Sequence, residues 1–259
     1  MNMTSEPLVT IITTALNCAD TLEATIQSVL KQNYSNVEYI IVDNKSNDAT
    51  PEIIGRYKEK IGKIVSDEVK GIYSALNCGL KASRGEIIGI LNSDDIYAND
   101  DVIRRVAEEF KNSAIDALWG DLLYVGRKNT NRVTRYWKSS QPVLNDFKRG
   151  WMPPHPALFI RKNVFEKYGL YETCFSFSSD YEMALRLFYK NRIKCFYLPS
   201  VFIKMRQGGR GDRNLIIRTI EDYKIARSYG LGAFSVFLKK ILKISQFVIR
   251  PRQKIQKKS

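Results

Sequence analysis

In the stretch Gly89-Ile90-Leu91-Asn92-Ser93-Asp94-Asp95-Ile96-Tyr97, an apolar run from Ile87 to Leu91 stops abruptly at four polar residues. The run predicts a buried strand. Its polar end then falls where open parallel α/β sheets bind their ligands. Two neighbouring carboxylates repel unless a positive charge stands between them and a ligand. A divalent cation carrying a phosphate would serve, because hard cations take oxygen ligands. The same residues also favour turns and helix caps, so an Asp-rich turn is the alternative.

Outward from this stretch, the pattern repeats. Leu8 to Thr13 and Val37 to Val42 are β-branched and apolar, and each feeds a polar loop, Thr14 to Ala19 and Asp43 to Asp48. Ile61 to Ser66 predicts a short third strand. Between the strands, Asp20 and Glu23 have capping-box spacing ahead of a helical stripe. Pro51 suits a first helical turn, and Gly71 to Ser83 reads as loop and helix with Gly85 as C-cap. Strand and helix alternate at about 30 residues, which predicts βαβ units and a parallel sheet. Right-handed crossovers bring the three polar strand ends to one edge and form a candidate crevice.

Beyond Asp100 the expected elements are a helix over Asp101 to Lys111, a strand over Asp116 to Tyr124 and a hairpin or excursion over Asn129 to Gln141. A Pro-rich loop, Trp151 to Pro156, leads into Ala157 to Ile160. Asp180 lies near the start of a helix, either as a cap or as a functional carboxylate. A last strand, 196–203, a loop over Gln207 to Asp212 and a helix over Leu215 to Tyr229 follow.

The net charge is +14, and eight of the Lys and Arg residues fall in 231–259, where there is no acid. There Phe234, Phe237, Leu238, Ile241, Ile244 and Val248 share one helical face opposite Lys239, Lys243 and Arg250. Such a segment reads as a helix on an anionic membrane surface, or as a packed helix with a solvated basic tail. Truncation after Tyr229 is expected to raise solubility. The basic residues are not interleaved with aromatics, so nucleic acid is not an expected partner. No Gly-x-Gly-x-x-Gly follows the first strand and no P-loop occurs, which counts against dinucleotide binding and P-loop NTPase chemistry. Four scattered cysteines and one histidine count against a structural zinc site, and the scarcity of cysteine fits a reducing cytosol. No apolar run is long enough for a transmembrane helix.

Together, Thr10-Ile-Ile-Thr-Thr-x-x-Asn17, Ser28-Val-Leu-x-Gln32, Glu38-Tyr-Ile-Ile-Val-Asp43, Ser46-Asn-Asp-x-Thr50, Gly71-Ile-Tyr73, Asn77-x-Gly79, Gly85 and Leu91-Asn-Ser-Asp-Asp95 resemble glycosyltransferase family 2. Gly169-Leu-Tyr171 and Ser179-Asp-Tyr-Glu-Met-Ala-Leu-Arg186 resemble its acceptor half. The series spans roughly 7–230 and is most similar to bacterial surface-polysaccharide enzymes.

The resemblance implies an α/β GT-A fold, Rossmann-like, with a mixed sheet, flanking helices and a C-terminal amphipathic helix. Residues 1–230 would be the catalytic domain, divided into a donor half (7–99) and an acceptor half (100–230), with 231–259 as tail. It implies inverting transfer from a nucleotide-sugar, a UDP-sugar, to a glycan or lipid-linked acceptor. The location would be cytoplasmic, at the inner face of a bacterial membrane. Thr13, Asn17, Asp43, Gly71, Tyr73, Asn77, Asn92 and Arg210 would bind the donor. Asp94 and Asp95 would hold Mn²⁺ or Mg²⁺, with Asn92 where relatives begin an Asp-x-Asp. Asp180 would be the general base. His155 would serve either the acceptor site or the loop's structure. Val69 and Ser74 stand where many relatives carry Asp, which leaves donor identity open and admits a non-catalytic sugar-nucleotide-binding subunit.

Overall fold

Successive residues of the first strand face opposite ways, and both faces are apolar. Val9 and Ile11 point to one side of the sheet and Ile12 to the other, and all are fully buried. Such a strand needs a layer of helices on each face. The computed structural model, which describes residues 6–209, 214–232 and 236, supplies both layers.

The strands are β1 (Val9–Ala15), β2 (Val37–Asp43), β3 (Lys63–Ser66), β4 (Ile87–Ile90), β5 (Ile96–Tyr97), β6 (Ala117–Val125), β7 (Val133–Trp137), β8 (Leu158–Arg161) and β9 (Cys195–Arg206). The helices are α1 (Ala19–Leu30), α2 (Thr50–Arg56), α3 (Ile72–Ala82), α4 (Val102–Phe110), α5 (Leu144–Lys148), α6 (Lys162–Tyr168), α7 (Ser179–Ala184) and α8 (Leu215–Ser228). After α7 the chain widens into a π-helical segment, Leu185–Lys190.

The sheet order is β3-β2-β1-β4-β8-β6-β9-β5, with β7 also paired to β6. The first four strands are parallel. Antiparallel β8 joins β4 to β6, so the segments 7–99 and 100–230 share one sheet. Ile40, Ile12 and Ile90 stand side by side across β2, β1 and β4 and face the layer containing α3. Tyr39, Ile11 and Gly89 form the next row and face α1 and α4. Gly89 is glycine because Phe159 of β8 lies across it. An added Cβ would stand 2.5 Å from the Phe159 ring.

The expected strands and helices form, with boundaries moved by a few residues. Two local expectations fail. Asp20 does not cap α1, because the helix starts at Ala19 behind Cys18. The cap comes from the neighbouring loop instead: Asp48 Oδ2 accepts from Ala19 N at 3.2 Å, and Thr50 Oγ1 accepts from Cys18 N at 2.9 Å. Gly85 does not cap α3, which ends at Ala82. Gly85 N donates to Thr10 Oγ1 at 2.9 Å, at a close approach where a Cβ would meet that oxygen at 2.4 Å. Leu231 and Val236, both within the expected tail, are buried in the core beside α7 and α8. The rest of the expected C-terminal amphipathic helix lies outside the described residues.

Candidate active site

The loops after β1 and β2 are tied to each other. Asn17 adopts a positive φ of 49°, and its Oδ1 accepts from Asn47 N at 2.9 Å. Ser46 Oγ accepts from Asn17 N at 3.0 Å and donates to Asp43 Oδ1 at 2.6 Å. Asn17 and Asp43 thus belong to one polar cluster at the strand ends. Thr13 does not join it. Its side chain is fully buried, and its hydroxyl accepts from Tyr39 at 3.2 Å. The alternation along β1 turns Thr13 inward, so the expectation that it touches a donor is replaced by a role in the core.

The Asn92–Asp95 turn splits its two carboxylates. Asp95 is fully buried. Its Oδ2 accepts from Asn92 Nδ2 at 2.8 Å, and its Oδ1 from Arg206 N at 3.2 Å. Burial, then the charge of Asp94, pushes the Asp95 carboxyl well above the usual carboxylate range. Asp95 therefore holds the turn together and presents no surface to a cation, contrary to its expected place as a metal ligand. Asp94 keeps partial exposure, with Arg127 Nη1 at 3.9 Å from its Oδ2. Arg206 Nη1 donates to the Asp94 carbonyl at 2.6 Å and fixes the turn from β9.

Among the described residues, no group of three or more His, Cys, Asp or Glu side chains could hold a metal ion. One accessible carboxylate fits only a cation held chiefly by donor phosphates and water, as Mg²⁺ often is.

A cavity of about 1040 Å³ opens beside the carboxyl ends of β3 and β4. Gly71, Tyr73, Asn92, His155 and Asp180 line it, with Lys70, Arg135 and Arg218 as its cations. Gly71, at φ +88°, turns the chain into α3 and brings Tyr73 onto the cavity wall. Asn44 Oδ1 accepts from Val69 N at 2.7 Å and steadies this approach. Val69 packs against the core and Ser74 Oγ donates to the Lys70 carbonyl at 2.8 Å, so both departures from the family pattern are absorbed locally.

Asp180 sits in the first turn of α7. The Tyr73 hydroxyl donates to Asp180 Oδ1 at 3.4 Å, and the Tyr73 ring stacks on Tyr171 at 5.7 Å. His155 Nε2 lies 2.7 Å from the Tyr171 hydroxyl. Burial pushes His155 below its ordinary value, only partly opposed by the charge of Asp180. Burial, reinforced by Asp180, pushes the Tyr171 phenol well up. Tyr171 thus keeps its proton and can donate it to neutral His155. The result is a protonated Tyr73 beside Asp180, backed by Tyr171 and His155.

Asn77 does not line the cavity. Its Nδ2 donates to the Tyr171 carbonyl at 2.9 Å, and its Oδ1 accepts from Tyr171 N at 3.0 Å. It clamps the backbone at Tyr171, so the expected donor contact gives way to a positioning role. Arg186 fixes the same segment through the carbonyls of Tyr168 and Leu170, both at 2.6 Å. Glu221 of α8 accepts from Ser176 N and Phe177 N at 2.7 and 2.9 Å and holds another wall. The lining also includes Arg135, whose guanidinium lies 4.4 Å from the Tyr124 ring centroid.

Arg210 lies outside the described residues. Tyr171 appears in the sequence as the end of Gly169-Leu-Tyr171, although nothing local marks its hydroxyl as part of the site. Arg206, Glu221 and Asn44 carry no such signal, since their partners are remote in the chain.

A curled sheet, parallel then antiparallel, with helices on both faces is the GT-A architecture. The structure of S. aureus TarS 1-349 in complex with UDP-GlcNAc superimposes with a TM-score of 0.69 at 16% identity, over 85% of this chain and 65% of that one. The mannosyltransferase PcManGT from Pyrobaculum calidifontis, in complex with GDP-Man and Mn²⁺, superimposes with a TM-score of 0.63 at 16% identity, over 96% of this chain and 77% of that one.

The sequence model of glycosyl transferase family 2 matches residues 10–169, more than half of the chain, and the protein belongs to that family. An uncharacterised glycosyltransferase of Rickettsia prowazekii is 28% identical over 94% of this chain and 76% of its own length. The UDP-Glc:alpha-D-GlcNAc-diphosphoundecaprenol beta-1,3-glucosyltransferase WfaP of Escherichia coli is 41% identical over 38% of this chain and 40% of its own length.

Proposed function

We propose that the protein transfers a sugar from a nucleotide-sugar, a UDP-sugar, to a glycan or lipid-linked acceptor at the inner face of a bacterial membrane, in surface polysaccharide synthesis. One observation carries the reading: in a family 2 chain, Asp180 lines the cavity of about 1040 Å³ that Asn92 also lines, within reach of Tyr73. WfaP, a relative over part of the chain, has a lipid-diphosphate acceptor in its name, which supports the acceptor class.

In this reading Asp180 removes the proton of the acceptor hydroxyl as that oxygen attacks the anomeric carbon. The bond from oxygen to that carbon forms while the bond to the departing diphosphate breaks on the other face, and the configuration inverts. Tyr73 orients the Asp180 carboxylate. Asn17 and Asp43 address the nucleoside, and Gly71 and Asn92 the donor's sugar and phosphates. Asp94 would hold Mn²⁺ or Mg²⁺ carried in on the donor, whose chemistry there is to neutralise the departing diphosphate.

The decisive comparison is transfer by wild type and Asp180→Asn. A general base contributes about 10²–10⁴ in rate, so the variant should lose that much while keeping its Tm. Undiminished transfer would remove Asp180 from the reaction. Thermal stabilisation by UDP with Mn²⁺, weakened in Asp94→Ala, tests the metal reading without turnover. Val69 and Ser74, which stand where many relatives carry Asp, favour one other reading, a non-catalytic sugar-nucleotide-binding subunit. Stabilisation by nucleotide-sugars without turnover on any acceptor pool would support it.

A further inference from the structure

Helix α8 has an unusual exposed side. Glu221 and Asp222, its only acids, are both buried. What faces outward is Leu215, Ile216, Ile217, Ile220 and Tyr223, followed by Lys224 and Arg227. Ile216 is 78% exposed and Leu215 65%. These five account for nearly half of the large hydrophobic side chains exposed among the described residues. On a helical wheel Ile216, Ile220, Tyr223 and Arg227 fall within one narrow arc. Large apolar side chains gathered this way mark a contact surface rather than ordinary surface scatter.

We propose that this face of α8 docks on an anionic lipid bilayer. The composition selects the partner. An apolar stripe flanked by Lys and Arg and free of acid suits the headgroup boundary of a negatively charged leaflet. The segment after α8 adds to it, since 231–259 holds eight Lys and Arg residues and no acid. A water-soluble acidic partner would meet the cations but leave the isoleucines uncovered, whereas a bilayer takes both. The position has a consequence. Leu215 and Arg218 also line the cavity, so the docked helix brings the cavity rim to the membrane plane. Vesicle binding requires no turnover, so the proposal stands apart from the transfer reading.

The test is co-sedimentation of the full chain with vesicles of phosphatidylcholine alone or mixed with phosphatidylglycerol. Wild type should bind the mixed vesicles, and bind neutral ones far less. The double variant Ile216→Glu with Ile220→Glu should lower the partition coefficient about tenfold or more. Val143→Glu, at a 66% exposed position on the edge of α5, serves as control and should bind like wild type. Circular dichroism and Tm should be unchanged in all, because the substituted side chains are exposed. Wild-type binding retained by the double variant would overturn the proposal and assign binding to 231–259 alone. So would failure of wild type to bind, or a wild-type dimer in light scattering that the double variant splits, which would make the face a self-association surface.

Discussion

At the residue scale, the site depends on which carboxylates are buried and which are presented. Asp94 and Asp95 are chemically the same and adjacent, yet only one can face a ligand. Asp95 receives its two hydrogen bonds inside the fold, from Asn92 and from Arg206 N, 111 residues further on. The opening Asn-Ser-Asp-Asp therefore holds a turn built on Asp95 beside the partly exposed Asp94, the carboxylate to which the proposed function gives the donor's cation. His155 gives a pH prediction. Its folded pKa is depressed by burial, so below about pH 6.5 the unfolded chain binds a proton that the folded chain resists. Stability supplied by neutral His155 is present above that pH and is lost as pH falls toward the folded value. His155→Gln should flatten the drop in Tm between about pH 7 and pH 5 relative to wild type. Parallel pH profiles for the two proteins would show that His155 does not titrate on unfolding.

At the element scale, the sequence was legible where one element decides its own fate. β1, β2 and β4 announced themselves by apolar runs that end in polar loops, and the three ends do form one edge. What stayed hidden is set by partners far away in the chain. The Thr13 hydroxyl is taken up by Tyr39, and Asn77 by Tyr171, 94 residues distant. Capping failed for the same reason, because the N-terminus of α1 is satisfied by Asp48 and Thr50 rather than by its own first turn. Two substitutions measure these couplings. Asn77→Ala strips the Tyr171 backbone of a donor and an acceptor, and should cost about 2–4 kcal/mol in urea unfolding. Gly89→Ala drives a methyl to 2.5 Å from Phe159, and should cost about 1–3 kcal/mol because β4 and β8 must separate. A wild-type midpoint for Asn77→Ala would mean that water replaces both bonds without loss.

At the scale of the whole molecule, the question is where the packed chain stops. The charge pattern places a break at 230: the last acid is Asp222, and 231–259 holds eight Lys and Arg and no acid. The core disagrees: Leu231 is 6% exposed and Val236 5%, in the cluster that contains Tyr73, Tyr181 and Ile225. Composition registers the onset of the basic segment, whereas packing depends on two apolar residues within it. Truncation after Tyr229 should therefore not yield the more soluble protein expected from charge alone. Removing two buried aliphatic side chains forfeits about 3–6 kcal/mol of burial. For a chain of this size that lowers Tm by roughly 10 °C or more. It also uncovers Tyr229, whose hydroxyl donates to Glu182 at 2.7 Å in the motif that carries Asp180. A cut after Lys239 spares Leu231 and Val236 and should leave Tm within a few degrees of wild type, while removing seven of the eight basic residues of 231–259. Scanning calorimetry of the two truncations separates the cases. Equal Tm values would show that burial of Leu231 and Val236 contributes nothing, and the functional boundary would return to residue 230.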